Sequence, residues 1–107
     1  FPSFFEGFGK AFLEAMSRGS VVVAADNGGM RGVIAHCVNG FKVPTGDVAT
    51  MVAQVDAVLA DQVVATAVSE KAIQTASRLT WDQFASASTL FYEGLIRHKA
   101  NAQRGVQ

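Results

Sequence analysis

Glu6 and Glu14 stand eight positions apart in the stretch SFFEGFGKAFLEAMSRG, residues 3–19. Gly7 and Gly9 follow the first of them, and an apolar, helix-like run joins the pair. Glycines at the mouth of a helix let the backbone approach a ligand closely. The unpaired N–H groups of the first turn then point outward with the positive end of the helix dipole. Phosphate or sugar hydroxyls suit such a place. Glu6, in the turn, can accept hydrogen bonds from sugar hydroxyls, each worth roughly 1.5–3 kcal/mol when the acceptor is charged. Glu14, about two helical turns further on, can do the same for a ribose diol. A purely structural account stands beside this one. Glu14 and Arg18 are spaced i, i+4 in the favourable order, a surface pair worth about 0.3–0.5 kcal/mol, and Glu6 suits the start of a helix through the dipole. Gly-x-Gly is a weak motif, and residue types alone leave both accounts open. A hydrolase using Glu6 and Glu14 as acid and base needs the two in one sugar cleft, and nothing else in the sequence points to such a cleft. His36 and Cys37 are adjacent, with only His98 elsewhere, which gives no metal-ligand spacing. A Cys–His nucleophile pair is disfavoured, because neighbouring side chains on one short helix point apart.

The elements that must carry these residues follow from apolar periodicity. Phe8, Ala11, Phe12, Ala15 and Met16 recur at i, i+3, i+4, i+7 and i+8, which predicts a helix over Phe8–Arg18 with one apolar face. Gly19 suits a left-handed helix end, and Arg18 suits the negative end of the dipole. Residues 3–5, SFF, read as the end of a strand ahead of this helix. SVVVAAD, residues 20–26, is a continuous apolar run of the kind buried on both faces in a parallel sheet. NGGMRG breaks it, and GVIAHCV predicts a short helical piece. GFKVPTGD predicts a second short strand, closed by Pro44 and Gly46. Asp47 is a good N-cap for a helix over Val48–Ala60, with Val48, Met51, Val52, Val55 and Leu59 as its apolar stripe. A weaker helical pattern covers residues 63–77. TWDQ then has the capping-box form, with Thr80 as N-cap and Gln83 at N3. The helix it starts carries Trp81, Phe84, Ser88, Phe91 and Leu95 to one side, as core or as a face that packs on another domain. Past Lys99 the pattern is lost, and residues 100–107 read as a frayed tail.

Helices alternating with strands predict an α/β layer with parallel strands. Two or three strands make a narrow sheet for that architecture, and the chain opens FPSFFEG, apolar and without an initiator methionine. Both features predict a piece cut from a longer protein, with earlier strands left out and apolar surface around Val21–Val23 open to self-association.

Composition narrows the classes of function. The 107 residues suffice for one domain, and 50% hydrophobic against 17% charged residues favours a packed core over disorder. Nine basic residues balance nine acidic ones, so electrostatics give no reason to expect nucleic acid or an anionic membrane as partner. Cys37 stands alone, which excludes an intrachain disulfide and fits a reducing compartment. The longest apolar run, Val21–Ala25, is far below the ~20 residues that span a bilayer, and no signal-peptide pattern opens the chain.

Residues 2–47 resemble the donor-binding signature of the retaining, GT-B-type glycosyltransferases of family four (group 1). The features occur in order. Pro2-Ser3 comes first, then Glu6-Gly7-Phe8-Gly9, Leu13-Glu14-Ala15-Met16, and Gly19 with the Val21–Val23 run. Gly28-Gly29, Asn39-Gly40-Phe41-Lys42-Val43-Pro44 and Gly46-Asp47 follow, and the later Trp81 also matches. The resemblance implies an α/β fold, the C-terminal portion of a Rossmann-like GT-B half-domain with few parallel strands and flanking helices. Residues 1–99 would be the partial nucleotide-sugar-binding domain and 100–107 its tail. It implies transfer of a sugar from a nucleotide-sugar donor to a hydroxyl acceptor in glycan, polysaccharide or glycolipid synthesis. By resemblance, Glu6 orients the donor sugar and is the candidate catalytic group. Gly7, Phe8 and Gly9 bring backbone amides to the sugar or diphosphate, and Glu14 binds the ribose.

No metal or cofactor is implied, since the nucleotide sugar is a substrate. The acceptor would be bound mainly by an N-terminal domain outside this sequence, with the Arg and Lys that meet the leaving diphosphate also upstream. Such a piece alone is expected to be inactive. The implied location is the cytoplasm, with peripheral association at the inner membrane face as a further expectation for the parent. Two departures stand out. The family pattern G-G-x-x-E has Gly32 in the place of its glutamate, preceded by Arg31, which opens the alternative of a non-catalytic nucleotide-sugar-binding or assembly module. Lys10 replaces the usual apolar residue after the second glycine, either to reach a phosphate or as a solvated lysine.

Overall fold

Helix α1 (Lys10–Ser17) begins only after Gly9, whose φ of 63° and ψ of 55° place it in the left-handed region at the N-cap. The computed structural model describes residues 1–104, in two units that divide after Ser77. Within the first unit, Gly9 turns the chain sharply into α1, so Phe8 precedes the helix and does not belong to its apolar face. That face is narrower than the periodicity predicts: Phe12 and Met16 are buried, Ala11 is exposed and Phe8 is 52% exposed. At the other end Gly19 exits with φ 80°, its N–H donating to the Met16 carbonyl and the Ser20 N–H to that of Ala15. This is the left-handed helix end that glycine favours.

Strands β1 (Val23–Ala25) and β2 (Phe41–Val43) pair in parallel, with Val23 opposite Phe41 and Ala25 opposite Val43. Ala24, Ala25, Phe41 and Val43 are buried, as a run apolar on both faces requires. On the other side of β1 lies Phe1. Its ammonium donates to the Val23 carbonyl at 2.9 Å and its own carbonyl accepts from the Ala25 N–H at 2.9 Å. The two bonds bracket Ala24, as those of a parallel neighbour do. The extended segment expected at residues 3–5 therefore touches the sheet at Phe1 instead.

The crossing from β1 to β2 is not helical as GVIAHCV suggested. A single 3-10 turn (Gly28–Met30) is followed by turns and one isolated parallel bridge, His36 to Gly40. Gly32 at φ 84° and Cys37 at φ 62° both lie in the left-handed region, which a right-handed helix cannot include. Asn39 holds these turns together. Buried at 5% exposure, it accepts from the Ala35 N–H and donates to the Val33 carbonyl and the Thr75 hydroxyl.

Helix α2 (Val48–Ala60) starts on its expected N-cap: Asp47 accepts from the Thr50 N–H at 2.9 Å and from the Thr50 hydroxyl at 2.6 Å. Its apolar stripe, however, is not core. No residue of α2 is buried, and Val48, Val52, Val55 and Leu59 are exposed. The helix lies against β1 and β2, and a sheet this narrow covers only part of the stripe. Helix α3 (Gln62–Ala76) buries Val68, Ala72 and Ala76 and packs on α1. The core is the cluster of Phe12, Met16, Val22, Ala24, Met30, Ile34, Ala72 and Ala76. The Ser69 hydroxyl also donates to the Gly19 carbonyl at 2.6 Å, tying α3 to the end of α1.

The second unit holds helix α4 (Trp81–Arg104). Thr80 caps it by accepting from the Gln83 N–H at 3.3 Å. Trp81, Phe84, Phe91 and Leu95 are exposed, so the aromatic side forms no core within this unit. The helix continues past Lys99 to Arg104, where a frayed tail was expected, because the alanines there favour helix strongly. The part of that expectation falling on residues 105–107 lies outside the described residues. Among the described residues no single helix is long and apolar enough to cross a membrane.

Candidate functional site

The predicted site residues fall on two elements of the first unit. Glu6, Gly7, Phe8 and Gly9 form the loop that feeds α1, and Glu14 rides on α1 itself. Glu6 is half-buried, while Gly7 and Phe8 are exposed. A Cβ added at Gly7 would meet nothing within 4 Å, so its backbone is open to approach. The first turn of α1 has no side-chain cap and no acidic residue. The positive end of the helix dipole therefore lies beside the loop of residues 6–9, uncompensated by a first-turn carboxylate.

Glu6 is held more tightly than its sequence context foretells. Its side-chain stem lies close to two glycines. A Cβ at Gly9 would lie 3.1 Å from the Glu6 Cγ, and one at Gly29 would lie 2.9 Å from the same atom and 2.6 Å from the Glu6 carbonyl oxygen. Only glycine permits an approach that close at Gly29, since the obstructing atoms include backbone. The double glycine Gly28-Gly29 thus brings the 3-10 turn against the loop at residue 6.

Asn27 fixes that turn in place. At 8% exposure, its Nδ2 donates to the Ser3 carbonyl at 2.8 Å and its Oδ1 accepts from the Gly29 N–H at 3.1 Å. Sequence reasoning passed over Asn27 and the Gly29–Glu6 contact. The double glycine was the one signal that a close approach occurs there.

Glu14 is exposed and, at 100° per residue, lies opposite the buried Phe12/Met16 stripe of α1. The surface pair that spacing offered does not form: no ion pair joins Glu14 to Arg18. Among the described residues no hydrogen bond or ion pair engages the carboxylate of Glu6 or of Glu14, which leaves both as acceptors. An apolar cavity of about 490 Å³ lies elsewhere, along Phe1, Val21, Val23, Val55 and Leu59, and touches neither glutamate. Among the described residues no three of His, Cys, Asp and Glu gather as a metal site. Gly32 has open space around it, but its φ of 84° makes the missing glutamate a change of backbone as well as of side chain.

A parallel β pair flanked by helices makes this an α/β fold, and likeness to a known structure places it in the GT-B class. It superposes on sucrose-phosphate synthase from Thermosynechococcus elongatus with a TM-score of 0.80 at 26% identity, covering 91% of this chain and 25% of that one. The family model for glycosyl transferases group 1 matches residues 1–76, and the chain belongs to that family. It is also 33% identical over 92 residues to a D-inositol 3-phosphate glycosyltransferase from Jonesia denitrificans. That alignment takes in 86% of this chain and 22% of the relative, so the chain spans about a fifth of the curated protein it matches.

Proposed function

We propose that this chain is the donor-binding portion of a retaining glycosyltransferase that moves a sugar from a nucleotide-sugar donor to a hydroxyl acceptor. Glu6 carries the reading: in a chain of the group 1 family, its side-chain stem lies close to Gly9 and Gly29 beside the mouth of α1, and among the described residues its carboxylate has no protein partner. Glu6 orients the donor sugar and stabilises positive charge developing on it. The amides of Gly7, Phe8 and Gly9 meet the sugar or diphosphate, helped by the helix dipole. Glu14, on the solvent face of the same helix, accepts from the ribose hydroxyls. The acceptor hydroxyl and the cations facing the leaving diphosphate come from other parts of the enzyme, which works in the cytoplasm and associates peripherally with the inner membrane face.

The test is made in the full-length protein. Replacing Glu6 or Glu14 with Ala removes charged hydrogen bonds worth about 1.5–3 kcal/mol each, so donor affinity or turnover drops at least about tenfold. Unaltered donor affinity and turnover in both variants would overturn the site assignment. The second reading, a non-catalytic binding or assembly module, is favoured by Gly32 alone. It requires donor binding without transfer, and measurable turnover by the full-length protein removes it.

A further inference from the structure

Asn27 makes three interactions that its neighbours do not need for the core. Its Nδ2 reaches the Ser3 carbonyl, 24 residues away along the chain, and its Oδ1 receives the Gly29 N–H. Its backbone carbonyl accepts from the Met30 N–H at 3.3 Å, closing the 3-10 turn. The amide is thus a two-ended strap: one end holds the strand of loop that leads into Glu6, the other holds the turn that presses on Glu6. It is buried, and its hydrogen-bonding atoms are satisfied by the protein alone.

The geometry between those two ends is what the strap controls. Gly29 approaches so closely that an added Cβ would fall 2.9 Å from the Glu6 Cγ, and one added at Gly9 would fall 3.1 Å from the same atom. A ligand that fixes a glutamate free to sample its rotamers must offset the entropy lost. Packing of the Glu6 stem against the 3-10 turn bears on how many rotamers it samples. We infer that Asn27 is a positioning residue for the donor site, setting the aim of the Glu6 carboxylate through Gly29. The inference rests on the reading of Glu6 as a donor ligand.

The effect of Asn27 on the donor then passes chiefly through Glu6, the residue that Gly29 touches. Near-attack geometry is sensitive to displacements of about an ångström, which cost up to about a hundredfold in rate. The experiment is a double-mutant cycle in the full-length enzyme: Asn27→Ala, Glu6→Ala and both together. It reads kcat, KM for donor and acceptor separately, and binding of the nucleotide-sugar donor. Asn27→Ala alone is expected to lower kcat/KM for the donor about tenfold or more and to leave acceptor KM unchanged. Added to Glu6→Ala, it is expected to have a clearly smaller effect than in the wild type.

Full additivity in the cycle, or wild-type donor kinetics in Asn27→Ala, would overturn the strap while leaving Glu6 in its role. No effect of Glu6→Ala would overturn both. Should Asn27→Ala not fold, Asn27→Ser keeps an oxygen for the Gly29 N–H but cannot span to Ser3. Limited chymotrypsin digestion then reads the strap directly: in Asn27→Ser cleavage after the exposed Phe4, Phe5 or Phe8 is faster than in the wild type, and unchanged cleavage there refutes it.

Discussion

Gly29 and Gly32 lie three positions apart and are glycine for different reasons. At Gly29 the constraint is space: a Cβ would stand 2.6 Å from the Glu6 carbonyl oxygen, a backbone atom that cannot swing aside. Gly29→Ala is therefore expected to cost about 1–3 kcal/mol, the usual range for overpacking, read as a lowered denaturation midpoint with an unchanged m-value. At Gly32 there is space to spare but φ is 84°. Gly32→Glu, which restores the family's side chain, is expected to cost about 1–2 kcal/mol of left-handed strain without raising donor affinity, as titration of the full-length protein with donor will show. At this scale the sequence was informative wherever the constraint is local. The left-handed Gly19 and the Asp47 cap are each specified by neighbours within a few residues. Asn27 was illegible because its meaning depends on Ser3, which the fold brings to it from far along the chain.

Several elements are secured by a polar side chain at a boundary. Asp47 caps α2, and the Thr50 hydroxyl, followed by the Thr50 amide, holds its carboxyl below the usual carboxylate range. A group more acidic in the folded state stabilises fully above its unfolded value and loses that contribution as pH falls through the lower folded one. The gap in Tm between wild type and Asp47→Ala is thus expected to be widest near neutrality and to close in acid. Asn39 does the same for the β1–β2 crossing. Asn39→Ala would strand the Ala35 N–H and the Val33 carbonyl, at a cost of about 1–3 kcal/mol, measurable by chemical denaturation. The ends of α2 were legible to the residue, since a capping aspartate and an apolar period agree there. The crossing was not: VIAHCV has an apolar content that suits a helix, but Gly32 and Cys37 take left-handed backbone, and Asn39 reaches across to Thr75 to hold the result.

For the whole molecule, the fold class was readable because helix and strand alternate in the sequence. The exposure of the α2 stripe was not, because an apolar period says that a face will be covered without saying by what. Val48, Val52 and Leu59 stay exposed, and the apolar cavity runs from Phe1 and Val21 to Val55 beside them. The 107-residue chain by itself is expected to self-associate through this surface, with sedimentation showing species that grow with concentration; a monomer at every concentration would count against it. The sheet's cover depends in turn on one corner. Between α2 and α3 the chain bends by 102°, and Asp61 makes the bend by ending one helix and accepting from the Val63 and Val64 amides of the next. Alanine in its place would leave those two amides without a cap, at a cost of about 0.5–2 kcal/mol. The hinge would slacken, and with it the seat of α2 on the strands it shelters.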